Sequence, residues 1–200
     1  MPRKYERIII AHHIILHGYG HWLANDIRGS GSQELRQEKF ADLGEVHFGR
    51  KAVQPPRELL REFYREARGR LEYSQLWFDD GKRRAIGGSI GTVIAKEKYT
   101  CWACAVMKNR VHLCIRRHRD DGHTMWRKFA DAARQPLRIF ADIDDEHPVW
   151  SNRPYVVFQY TTEDVRRVVK YIERNPEKEF MSPQTWPFVM TYDGWPHGST

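Results

Sequence analysis

The stretch YTCWACAVMKNRVHLCIRRH, Tyr99 to His118, constrains the fold more than any other part of the chain. Two runs rich in β-branched, aromatic and apolar residues are separated only by Lys108 and Asn109, a gap that fits a hairpin and leaves no room for a crossover. The chain is thereby committed to an antiparallel pair. In the second run Val111, Leu113 and Ile115 alternate with Arg110, His112 and Arg116. Successive side chains of a strand point to opposite faces, so the two arginines and the histidine share one surface and the aliphatics the other.

The other elements follow from periodicity and punctuation. Arg7 to Tyr19 reads as a long, central strand. Pro55 and Pro56 open a helix whose Leu59, Leu60, Phe63 and Ala67 lie on one side. Asp79 to Lys96 reads as a second helix, with Gly87, Gly88 and Gly91 marking close packing against a neighbour. GHTMWRKFADAARQPL forms a third that ends near Pro136. VWSNRPYVVFQY is a strand interrupted at Pro154, as suits an edge. The last helix is the clearest: Thr161 and Asp164 form a capping box, Val165, Val168, Val169 and Ile172 make the apolar stripe, and Pro176 helps to end it. Strand, helix pair, hairpin, helix, strand, helix is an α+β order, a mostly antiparallel sheet with helices packed on it.

Two hundred residues suit one domain with a long loop. The loop, Trp22 to Gln54, contains RGSGS at Arg28 to Ser32, which is either a flexible turn or a set of backbone N–H groups for a phosphate. Lys and Arg number 33 against 26 Asp and Glu, a formal charge of +7 and a pI near 9.4. That excess favours a polyanionic partner. Cys101, Cys104 and Cys114 are an odd set in strand-like segments, as expected of free thiols in a reducing cytoplasm. Cys101 and Cys104, three apart on a strand, are expected to face opposite ways and to be structural rather than zinc ligands. The N-terminal apolar run is broken by His12, His13 and His17, so it reads as a strand and not a signal peptide, and no run reaches the length of a membrane span. Asp142 to His147 reads as a solvated acidic loop, and Trp77, Trp102, Trp126 and Trp150 as core.

On the last helix Tyr171 flanks the valine stripe, Asn175 lies one turn later, Arg167 one turn earlier and Arg174 close by. A tyrosine oxygen is a competent nucleophile toward phosphorus when cations polarise the phosphate; the alternative is a boundary tyrosine packed against the core.

AVMKNRVHLCI resembles the histidine hairpin of the single-tyrosine HUH transposases, and VRRVVKYIERNPEK is similar to the tyrosine helix of their insertion-sequence-200-like, REP-associated branch. VWSNRPYVVF resembles the segment before that helix. The likeness covers roughly Tyr99 to Glu179. It implies a ferredoxin-like domain over residues 1–180, with the long loop at 20–54 and a C-terminal tail at 181–200. It implies DNA binding and DNA transposition: single-stranded or hairpin DNA cut and rejoined through a 5′-phosphotyrosine, with Mg²⁺ or Mn²⁺ polarising the scissile phosphate. Carried over, Tyr171 is the nucleophile, and His112 and Asn175 are metal ligands. Arg110, Arg116, Arg117, Arg167 and Arg174 are expected to contact DNA, on a track that Arg119, Arg127 and Arg166 would extend. Whether the protein acts as a homodimer is left open.

The first histidine of the family's pair has no counterpart, because Arg110 stands there. A guanidinium has no lone pair for a metal and stays charged. Three readings remain: a binder that no longer cuts, a weak nuclease in which Arg110 supplies part of the charge, or a ligand set completed by His118, His12 or His13. A non-catalytic DNA- or RNA-binding module is the alternative.

Overall fold

The computed structural model describes residues 8–35, 37–141, 143–151 and 153–197. Arg7, Asp142 and Asn152, which belong to expected elements, lie outside the described residues, as do the first residues of the domain and the end of the tail.

The elements are β1 (Ala11–His17), α1 (Arg57–Arg68), α2 (Asp80–Glu97), β2 (Cys101–Val106), β3 (Arg110–Arg116), α3 (Gly122–Ala141), β4 (Tyr155–Gln159), α4 (Thr162–Glu173) and the short α5 (Asn175–Lys178). The four strands form one antiparallel sheet in the order β2-β3-β1-β4. With helices between β1 and β2 and between β3 and β4, this is the α+β arrangement that the element order predicts, in the ferredoxin-like strand order that the resemblance implies. By compactness the chain divides into two units, one of residues 1–16, 78–146 and 153–200, the other of 17–77 and 147–152.

In the first unit, the hairpin closes as expected, with the Met107 N–H donating to the Arg110 carbonyl at 2.7 Å. β1 pairs with the edge strand β4 in the register His13 to Val157 and Ile15 to Tyr155. One sheet face carries Ala11, Ala103, Ala105 and Cys114, on which Val165 and Ile172 of α4 pack. The Thr161 side chain accepts from the Asp164 N–H, and the Asp164 carboxylate accepts from the Thr161 N–H, the reciprocal cap that the sequence predicts. The other face meets α3, where a Cβ added at Gly122 would touch His12 and Val156.

Three elements differ from expectation. α3 continues through Pro136 to Ala141, because the fully buried Leu137 anchors the turn beyond the missing N–H. Pro176 begins α5 instead of merely ending α4, at a position where its lack of an N–H costs nothing. A bulge between Cys101 and Ala103 pairs Cys101 with Ile115 and Cys104 with Leu113, so the two thiols share a face rather than opposing. Both thiols are buried and free, and burial raises their pKa values, which suits inert packing groups.

The tail from residue 181 to 197 runs along β2 as an arm. Gln184 donates to the Val106 carbonyl and accepts from its N–H, both at 2.8 Å, imitating a strand neighbour. The Met190 N–H bonds the Cys101 carbonyl. The helix glycines find their reason here: a Cβ on Gly87 would fall 2.0 Å from the Trp186 ring, and one on Gly91 2.9 Å from Phe188, while Gly88 faces open space.

In the second unit, the expected long loop holds a 3-10 helix at Glu38–Leu43 and is knit together by polar contacts. The buried Asp26 accepts two hydrogen bonds from the Arg28 guanidinium at 2.9 and 2.7 Å and one from the Tyr64 hydroxyl. Arg28 also stacks on Trp22. In RGSGS the N–H groups of Gly29, Ser30 and Ser32 are already engaged, with Asp26, His47 and Ser30. Gly29 has a φ of +92°, and a Cβ there would strike the Gly49 carbonyl, so the segment is a built turn. Trp150 is buried as expected, whereas Trp77 is half exposed, edge-on to His21. Among the described residues no helix is long and apolar enough to cross a membrane.

Candidate functional site

On the α4 face of the sheet, β1 and β3 lie side by side and bring His13 against His112. Their Nε2 and Nδ1 atoms are 3.1 Å apart and their rings are stacked, although the residues are 99 positions apart in the chain. Tyr171 of α4 stands edge-on to both, with centroids 6.0 Å from His13 and 5.8 Å from His112. It remains 38% exposed, so its ring is held by the imidazoles while solvent reaches the residue. The Lys178 ammonium lies 4.4 Å from the centre of the Tyr171 ring, close enough for a cation–π contact.

Arg110, two residues before His112 on the same face, completes the cluster. Its Nε–H donates to His112 Nε2 at 3.0 Å, one Nη to Asn109 Oδ1 at 2.8 Å and the other to Glu179 Oε1 at 2.7 Å. A guanidinium only donates, so His112 Nε2 must be the ring's acceptor atom. The remaining proton of a neutral His112 is then on Nδ1, where it is donated to His13 Nε2. Both imidazoles are neutral in this arrangement. Burial independently pushes His13 down to about 4, because a charged ring there would lose its water.

This hydrogen bonding decides how well the site suits a divalent cation. The lone pair that His112 would offer a metal points at a positively charged guanidinium, and His13 Nε2 is occupied by His112. The donor set therefore does not fit the metal that the resemblance implies. Among the described residues no three His, Cys, Asp or Glu side chains gather as a ligand group.

The other expected site residues have the following settings. Asn175 begins α5, 3% exposed, with its Nδ2 lacking a hydrogen-bond partner among the described residues. Arg116 and Arg117 lie at and beyond the far end of β3, about 20 Å from Arg110 at the strand rise, and their guanidiniums are 3.8 and 5.8 Å from the centre of the Trp195 ring of the tail. Arg167 is paired with Asp164. Arg174 is the C-cap of α4, its N–H shared by the Ile172 and Lys170 carbonyls. His118 packs on Tyr99 near Asp120. His12 points away from His13, to the α3 face, where burial lowers its pKa.

Of His118, His12 and His13, the histidines named as suppliers of the missing ligand, His13 is the one that lies against His112. Glu179 and Lys178 were not singled out by the sequence. The available signal was their spacing of eight and seven residues after Tyr171, near two helical turns.

No family model matches the chain, and no curated protein matches it. Among solved structures, a REP-associated tyrosine transposase bound to a REP hairpin is similar at 14% identity, over 94% of this chain and 80% of that one, with a TM-score of 0.45. Similarity of that extent carries nothing from one chain's residues to the other's.

Proposed function

We propose that this protein binds single-stranded or hairpin DNA on the face where Tyr171, His13 and His112 meet, and that Arg110 blocks metal-assisted strand cleavage there. The observation that carries the reading is the Arg110 guanidinium on His112 Nε2, beside a solvent-accessible tyrosine. Such a site retains cationic and aromatic groups for a phosphate and an unpaired base, but its imidazole is committed to an arginine. The net charge of +7 supports a polyanionic partner. Tyr155 and Val157 of β4 are partly exposed and, by register, share the face of Ile15 and His13. They extend the apolar surface on which a base would stack.

Labelled hairpin DNA with Mg²⁺ or Mn²⁺ tests this on native and denaturing gels. The native sequence should retard the DNA without a covalent band, and Arg110→His should gain a metal-dependent band that Arg110→His/Tyr171→Phe lacks. A Tyr171-dependent adduct in the native sequence would overturn the block at Arg110. Failure to bind DNA, or tighter binding of the matching RNA hairpin, would overturn the choice of partner.

A further inference from the structure

We infer that His112 and Glu179 form a cation site whose resident cation is Arg110 itself, and that a divalent ion and this guanidinium exclude one another there. The inference deepens the reading of the site above but rests on its geometry alone and not on DNA. Three acceptors of different kinds converge on one guanidinium: an imidazole nitrogen at 3.0 Å, a carboxylate oxygen at 2.7 Å and an amide oxygen at 2.8 Å. His112 and Glu179 take the Nε and Nη2 hydrogens, the same pair of atoms that Arg28 presents to the two oxygens of Asp26. His112 Nε2 and Glu179 Oε1 are thus both joined to one guanidinium, which stands between them.

Imidazole, carboxylate and amide oxygen together make a donor set suited to late first-row ions such as Ni²⁺. The set is anchored. His112 is 2% exposed and its orientation is held by His13, while the Arg110 and Glu179 side chains are only 20% and 31% exposed. A partly buried carboxylate beside a buried imidazole calls for a cation, and the tethered one has an effective concentration that a free ion must exceed. Removing the guanidinium takes from both acceptors the positive charge that they now contact.

Ni²⁺ alone, titrated calorimetrically into the full chain, provides the test. Arg110→Met should acquire one site absent from the wild type. That site should lose at least about tenfold in affinity in both Arg110→Met/His112→Ala and Arg110→Met/Glu179→Gln. Near-ultraviolet circular dichroism establishes that each variant is folded. In the wild-type protein, paramagnetic Ni²⁺ should leave the His112 imidazole NMR signals unbroadened, a measurement that needs no variant. Equal Ni²⁺ binding by wild type and a folded Arg110→Met, an added site that survives both second substitutions, or selective broadening of His112 in the wild type would each overturn the inference. The titration contains no nucleic acid, so its failure leaves DNA binding standing, and failure of DNA binding leaves the titration interpretable.

Discussion

At the scale of the residue, the imidazole pair ties the site to pH. His13 is held near 4 by burial, below the value of about 6.5 that it has in the unfolded chain. The unfolded state therefore binds more protons throughout the interval between these values. The stability contributed by neutral His13 is complete above pH 6.5 and is lost as pH falls toward 4, with a slope approaching about 1.4 kcal/mol per pH unit. His12, lowered mainly by burial, adds in the same direction. Thermal melts between neutral pH and pH 4 should show a steep acid decline, and His13→Gln should flatten it, since glutamine offers an acceptor oxygen without titrating. An unchanged slope in His13→Gln would place the acid sensitivity elsewhere.

At the scale of the element, the tail and α2 specify one another. Gly87 is the point of closest approach, where a single methyl group would overlap the Trp186 ring, while its neighbour Gly88 faces open space. Gly87→Ala should therefore cost about 1–3 kcal/mol through overpacking and loosen the arm. Gly88→Ala should stabilise by about 0.5–1 kcal/mol through helix propensity. Chemical denaturation measures the first difference, and the rate of proteolytic cleavage near residue 190 measures the release of the arm. If both substitutions behave alike, Trp186 does not lie on Gly87 in solution. The same arm brings Trp195 over Arg116, so loosening it also uncovers one of the arginines expected to meet DNA.

At the scale of the whole molecule, charge sets the expectation. A chain of net charge +7 that contacts even a few phosphates releases counterions on binding. Affinity for single-stranded DNA should fall by about tenfold or more between roughly 50 and roughly 200 mM salt. Binding that is flat across this range would remove phosphate contact as the basis of recognition. Arg110, Arg116, Arg117, Arg167 and Arg174 are distributed over different elements and several are paired or stacked within the protein. The salt slope then reports how many of them a nucleic acid recruits, and single Arg→Ala substitutions apportion it.

By itself the sequence determined the elements whose signals are local. The two-residue hairpin, the capping box at Thr161, the valine stripe of α4 and the place of Tyr171 beside it each follow from a turn length, a cap or a period within a few residues. That Arg110 can offer a metal no lone pair was equally legible, because a guanidinium only donates. Only the tertiary structure decided what surrounds these residues. His13 meets His112 across 99 positions and Glu179 reaches Arg110 across 69. Such pairings depend on strand order and on the turn between α4 and α5, neither of which a local pattern encodes. The bulge that turns Cys101 to the face of Cys104, the passage of α3 through Pro136 and the seat of Trp186 on Gly87 belong to the same class. In each, a contact distant in sequence overrode the local rule, since burial against a partner outweighs the fraction of a kilocalorie to few kilocalories that a local preference contributes.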